Sequence, residues 1–257
     1  MKQHLYILTG ASRGLGLGMA RQLLTAGHSL LCIARHRNDE LGLLAGSTPQ
    51  CTLEQWTADL GDGGAAVAAR LHDWLVSLDA DTYASVTLIN NAAVLPRIAP
   101  LADASSADIA SVLRVGLEAP MQLCAAFLSA TRDWRGARRV LNISSGLGRR
   151  AMGSQAAYCA AKAGMDHFTR CLALDEARLP NGARVCSLAP GVIDTDMQVQ
   201  LRGADAAAFP DRGSFEQLQR GGALSSPRDA ACRVLAWLDR ADFGVNPVAD
   251  VRDATPA

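Results

Sequence analysis

The chain predicts an α/β fold, with one open, mostly parallel, doubly wound sheet and helices on both faces. Three observations carry this. β-type and helical runs alternate along the whole chain, with no internal repeat and no low-complexity linker. The first apolar run leads directly into a glycine-rich turn, Gly10-Ala11-Ser12-Arg13-Gly14-Leu15-Gly16, which opens a helical pattern. The conspicuous polar motifs all follow predicted strands, at the end of the sheet where ligands bind in folds of this class.

The elements read in order. Leu5 to Leu8 is a short apolar strand, and the glycine turn after it starts a helix over about 14–25 that Gly27 ends. Ser29 to Ala34 is a second strand, and Thr52 to Trp56 is a weaker third. Ala65 to Leu78 has amphipathic helical spacing. Val86 to Ile89 is a strand ending at Asn90-Asn91-Ala92, and helical spacing then covers about 106–130. Val140 to Ile143 runs into Ser144-Ser145-Gly146. A long helix over about 155–178 follows, then a strand from Arg184 to Leu188 ending at Pro190-Gly191. Arg228 to Leu238 is the last helix, and Val245 to Val251 is a final strand. The exception is the stretch 194–224, where Gly203, Pro210, Gly213 and Gly221-Gly222 predict an irregular or partly helical excursion placed as a lid.

A chain of 257 residues is long enough for a single domain over 1–257 with a substantial core. The formal net charge is zero, which favours neither nucleic acid nor an anionic membrane as partner. Seven cysteines, an odd number with no CxxC pair, predict reduced thiols and a cytoplasmic setting, several of them packing as small hydrophobes. Cys159 is among the latter. No apolar run is expected to reach the length of a membrane span. The five histidines show no ligand spacing with the cysteines, so no metal site is expected.

The chemistry-bearing residues fall at two ends of one expected cleft. At one end, glycines allow a sharp turn and close backbone approach to a pyrophosphate, which then faces the free N–H groups of a helix start. The second strand ends in Ile33-Ala34-Arg35-His36-Arg37, with no acid until Asp39. An acid there takes ribose hydroxyls. Arg35 with Arg13 instead suits a 2′-phosphate clamp, which points to NADP(H) over NAD(H). At the other end, Tyr158 and Lys162 are four apart and share a helix face, with Ser145 thirteen residues before the tyrosine. An ammonium beside a phenol is expected to lower its pKa toward that of a working acid–base catalyst. Strand alternation turns the neighbouring Ser144 elsewhere.

These motifs together resemble the short-chain dehydrogenase/reductase family over nearly the whole chain. Its glycine motif TGxxxGxG matches Thr9 to Gly16, its Asn-Asn-Ala-Gly motif appears as Asn90-Asn91-Ala92-Ala93, and its acidic pair near the adenine matches Asp59-Leu60. Its Ser, Tyr-x-x-x-Lys and Pro-Gly-x-x-x-Thr motifs match Ser145, Tyr158-Lys162 and Pro190-Gly191 through Thr195. The resemblance implies a Rossmann-type single domain, usually in a homodimer or homotetramer. It implies NADP(H) contacts from Gly10, Ser12, Arg13, Gly14, Leu15, Gly16, Arg35, Asp59, Leu60, Asn91, Ala92, Tyr158, Lys162, Pro190, Gly191, Ile193 and Thr195. It further implies that Tyr158 gives a proton to a small-molecule carbonyl while Ser145 holds the same oxygen. Gly116 stands where many relatives carry an Asn that supports a proton-relay water through its backbone carbonyl, so the relay is retained with a looser helix.

The stretch Pro190 to Gln198 resembles the sepiapterin reductase and benzil reductase branch, implying reduction of ketones or vicinal dicarbonyls. Asp250 and Asp253 are expected to be solvated charges near the C-terminus. A 3-oxoacyl carrier-protein reductase, with the same catalytic core, and a non-enzymatic NADP(H)-binding regulator are the alternatives.

Overall fold

The computed structural model describes residues 2–253. Its sheet has seven strands: β1 (Gln3–Thr9), β2 (His28–Ala34), β3 (Thr52–Thr57), β4 (Tyr83–Asn90), β5 (Ala137–Ile143), β6 (Arg184–Ala189) and β7 (Val248–Asp250). All neighbouring pairs are parallel, in the order β3-β2-β1-β4-β5-β6-β7. The order reverses between β1 and β4, and a crevice opens at such a reversal, beyond the carboxyl ends of the strands.

The helices are α1 (Gly14–Leu23), α2 (Asp39–Ser47), α3 (Leu60–Ser77), α4 (Ser106–Leu113), α5 (Ala119–Ala130), α6 (Ala156–Glu176), α7 (Asp196–Arg202), α8 (Arg212–Arg220) and α9 (Pro227–Leu238). They explain why the strands read as unbroken apolar runs. Along β1, Tyr6 and Leu8 face the α1 and α9 layer, while Leu5 and Ile7 face the layer of α3 and α5. Successive side chains point to opposite faces, so a strand covered on both sides is apolar throughout.

Two readings are corrected and a third is sharpened. The sequence reading passed over α2, although Asn38 caps it by accepting from Leu41 N at 3.2 Å and Asp39 and Glu40 fill its first turn. The excursion over 194–224 is the partly helical of the two forms expected. It holds α7 and α8, and Phe209, Phe215 and Leu201 bury a small apolar cluster between them and Met152. Gly203 and Pro210 separate the two short helices, Gly213 lies within α8, and Gly221-Gly222 follow it. The final strand is only Val248–Asp250.

A π-helical segment, Arg114–Glu118, joins α4 to α5. The resulting run Ser106–Ala130 is, by length and composition, long and apolar enough to cross a bilayer, contrary to expectation. Its apolar side faces protein: Val112, Val115, Leu123 and Phe127 are buried, and α5 packs along α3.

Candidate active site

The glycine loop is built by steric necessity. Gly10 has φ +70°, and a Cβ there would lie 2.9 Å from the Cα of Ala92. A Cβ on Gly16 would fall 2.0 Å from the carbonyl oxygen of Gly10. The loop after β4 braces this turn. Asn91 Nδ2 donates to the carbonyls of Thr9 (3.0 Å) and Gly10 (3.2 Å), and the Thr9 hydroxyl accepts from the backbone N–H groups of Asn91 (2.9 Å) and Ala92 (3.0 Å). Thr9 was not among the candidate site residues. Its signal was a hydroxyl in an otherwise apolar strand, immediately before the turn.

Every candidate residue faces one cavity of about 800 Å³ at the reversal point of the sheet. Arg13, which opens α1, makes no side-chain cap, leaving the N–H groups of the first helical turn free for an anion. Asp59 caps α3 by accepting from Gly61 N at 2.8 Å and lines the same cavity with Leu60. Pro190, Gly191, Ile193 and Thr195 form its wall after β6, and Thr195 opens α7. Arg35 stands exposed at the end of β2. This set of open N–H groups and glycines fits a nicotinamide dinucleotide.

Arg13 departs from the expected clamp. Its guanidinium is 2.8 Å from the Asp196 carboxylate on α7, and the two side chains are 67% and 77% exposed. Exposed pairs of this kind are worth roughly 0–1 kcal/mol, so the bond is exchangeable for a more highly charged phosphate.

At the other end, α6 buries Tyr158 and, one turn on, Lys162. Ser145 starts a short turn after β5, its Oγ accepting from Leu147 N at 3.2 Å, and it lines the cavity beside Tyr158. Ser144 turns away as expected and donates to Asp166 Oδ1 at 2.6 Å.

The expected lowering of the tyrosine pKa is not what the geometry yields. Burial pushes the Tyr158 phenol up to about 12; the nearby Ser145 hydroxyl works against this and Cys159 adds to it. Lys162 Nζ donates to the Ile143 carbonyl at 2.7 Å and lies 5.8 Å from the tyrosine ring centroid. Burial lowers the Lys162 pKa to about 8, with Asp166 opposing. Lys162 is not among the causes of the Tyr158 shift: its amine turns to the Ile143 carbonyl, and burial sets the direction. A neutral phenol beside a hydroxyl is a proton donor, the state that carbonyl reduction requires.

Asp166, one further turn along α6, was also missed. It is buried and accepts from Ser144 and Ser187 at 2.6 Å each, with Arg149 Nε at 3.3 Å from its other oxygen. The carboxylate thus ties the ends of β5 and β6 to α6 and holds the turn that carries Ser145. Its signal in the sequence was a lone acid four residues after Lys162.

The walls near Tyr158 are apolar. Val94, Leu95, Leu147 and Met197 pack about it, and Met197 Sδ lies 3.9 Å from the tyrosine hydroxyl. Cys159 packs into the neighbouring cluster under α7 and α8, as a small hydrophobe. Gly116 lies buried in the π segment, where a Cβ would sit 3.2 Å from that of Ala161, beside Lys162. Wide turns of this type recur at functional sites. Asp250 is not a solvated charge: it is buried, and its oxygens accept from Arg252 Nε at 2.7 Å and Nη2 at 2.6 Å. Those bonds hold its carboxyl below the usual range and occupy the group.

A family model described as short chain dehydrogenase matches residues 4–206. The chain is similar to a benzil reductase ((S)-benzoin forming) of Bacillus cereus, 34% identical over 238 residues that cover 92% of this chain and 94% of that protein. It is also similar to sepiapterin reductase of Mus musculus, 31% identical over 251 residues and 92% of each chain. Among solved structures, a putative 2-deoxy-d-gluconate 3-dehydrogenase from Agrobacterium tumefaciens with bound NADP superposes with a TM-score of 0.77 at 26% identity, covering 98% of this chain and 95% of that one.

Proposed function

This chain belongs to the short-chain dehydrogenase family and is an oxidoreductase of carbonyl and alcohol groups, and from that premise we propose that it is an NADPH-dependent reductase of ketones and vicinal dicarbonyls. The observation that carries the reading is the meeting of Ser145, Tyr158 and Lys162 with the braced glycine loop in one cavity whose inner walls are apolar. Similarity to benzil reductases supports the dicarbonyl class.

NADPH, when bound, supplies hydride to the carbonyl carbon. The protein's part is to bind, orient and protonate. Ser145 and Tyr158 present two hydroxyl donors to one oxygen, which stabilises the negative charge that develops there. Tyr158, held neutral by burial, releases its proton to that oxygen. Lys162 stabilises the phenolate left behind. The apolar walls exclude water from these groups.

This assignment has a pH signature. Lys162 loses its charge as pH rises through about 8, while Tyr158 keeps its proton to about 12. Reduction is therefore level below pH 8 and falls by about tenfold per unit above it. Stability runs the other way. Between about pH 8 and 10 the unfolded chain, with an ordinary lysine, binds more protons than the folded one, so this group makes stability rise with pH. A rate that stays level to pH 10 in a pH–rate profile contradicts the role given to Lys162.

Preference for NADPH rests on Arg35, Arg13 and the absence of an acid at the end of β2, and the NADP-bound relative supports it. Arg35→Ala is expected to weaken NADPH by roughly 10-fold or more, the scale of a lost charge-assisted hydrogen bond, and to leave NADH unchanged. Fluorescence titration with both cofactors checks this, and equal losses contradict the clamp.

A further inference from the structure

Gln155 stands one helical turn before Tyr158, at the residue that opens α6. A polar side chain at that position commonly turns its oxygen onto the free N–H groups of the first turn. Gln155 makes no such bond. It is fully buried, yet it lines the cavity. Its Nε2 donates to the Ser154 carbonyl at 2.9 Å, while its Oε1 meets no donor among the described residues.

The bond to Ser154 fixes which way the carboxamide faces. Turning it over would set Oε1 against the Ser154 carbonyl oxygen, two acceptors in contact. The free oxygen therefore stays an acceptor. Buried polar atoms in folded proteins almost always find a partner, so this one is held for something that enters the cavity. Gln198 on α7 repeats the pattern: it follows Met197, is 8% exposed, lines the same cavity and has an unpartnered Oε1.

We infer that the substrate carries an O–H or N–H group next to its reacting carbonyl, and that Gln155 Oε1 accepts from it, making this residue a determinant of specificity for α-hydroxy ketones. The inference rests on the carbonyl reductase reading and ranks its substrates: a vicinal dicarbonyl, which brings no donor to Gln155, still turns over, but less efficiently than an α-hydroxy ketone of the same size. In the reaction the C=O π bond opens, hydride from NADPH forms the new C–H bond, and the proton from Tyr158 forms the new O–H bond. The α-hydroxyl keeps its own proton throughout, so the product is a vicinal diol. A site built around a substrate hydroxyl discriminates strongly against an analogue that lacks it, because its own polar group is then left unpaired.

The test compares kcat/KM with NADPH for phenacyl alcohol and for its methyl ether, which has the same carbonyl and no donor. Phenylpropanedione serves as a third carbonyl. The wild type is expected to favour the alcohol over the ether by roughly tenfold or more. Gln155→Met, similar in size with no acceptor, collapses that ratio to about one, and Gln155→Glu, which keeps an acceptor oxygen, retains it. A wild-type ratio near one, or an unchanged ratio in Gln155→Met, overturns the inference. If Gln155→Met does not fold, the wild-type ratio and Gln155→Glu decide. Turnover of none of the three carbonyls sinks the reductase reading instead. The inference is then read without turnover, from the rise in melting temperature that phenylethanediol gives with NADP+ present, set against that of its monomethyl ether. A larger rise for the diol, lost in Gln155→Met, supports it, and equal rises overturn it.

Discussion

Replacing Tyr158 by Phe is expected to cut NADPH-dependent ketone reduction by about 10²- to 10⁴-fold, the range that a positioned general acid supplies. Cofactor binding stays intact. The ring is buried among Val112, Ala161 and Met197, and Phe preserves that packing. What is lost is the hydroxyl that faces the cavity with Ser145 and lies 3.9 Å from Met197 Sδ. Single-turnover reduction together with a fluorescence titration of NADPH separates chemistry from binding. Turnover that survives undiminished removes Tyr158 as the acid, and lost binding with lost turnover would make it a structural residue.

Gly16→Ala has the second large effect, and it falls on binding and stability together. The added methyl would meet the Gly10 carbonyl oxygen at 2.0 Å and Asn91 Nδ2 at 2.6 Å. The first is backbone and the second is the brace between the β4 loop and the glycine turn, so neither can yield without opening the phosphate cradle. Overpacking of this kind costs typically 1–3 kcal/mol, which is about 2–12 °C in Tm for a domain of this size class. NADPH affinity is expected to fall by at least about tenfold, since the N–H groups of the turn no longer converge. Gly46→Ala, on α2 with nothing within 4 Å of its Cβ, is the control and should stabilise by roughly 0.5–1 kcal/mol. Differential scanning calorimetry and cofactor titration on both variants read the contrast. An unperturbed Gly16→Ala would mean that the close approach at this turn is not required.

Much of the fold was legible because doubly covered strands leave long apolar runs, as in β1, and because polar motifs punctuate their carboxyl ends. The site was legible as a set of local motifs. What the sequence hid depends on packing between distant segments. Burial decides the pKa values of Tyr158 and Lys162, and no spacing rule states how deeply α6 sinks against β5. Asp166 gains its meaning only when Ser144 from β5 and Ser187 from β6 close on it. Arg13 reads as half of a phosphate clamp until α7 folds back and brings Asp196 to it. The bounds of α7 and α8 were not legible, because both are short and Leu201 and Phe215 gain their partners only when the segment folds onto the cavity. α2 is a different case: Asn38 followed by Asp39 and Glu40 is a helix-start pattern that stands in the sequence itself.

The central claim is tested most directly by following NADPH and NADH oxidation side by side on an aromatic diketone, an aliphatic diketone, a pterin with a dicarbonyl side chain and a 3-oxoacyl thioester. The account predicts fast oxidation of NADPH, slow oxidation of NADH, and turnover of the dicarbonyl compounds without turnover of the thioester. Thioester reduction alone, or equal use of the two cofactors, would contradict it.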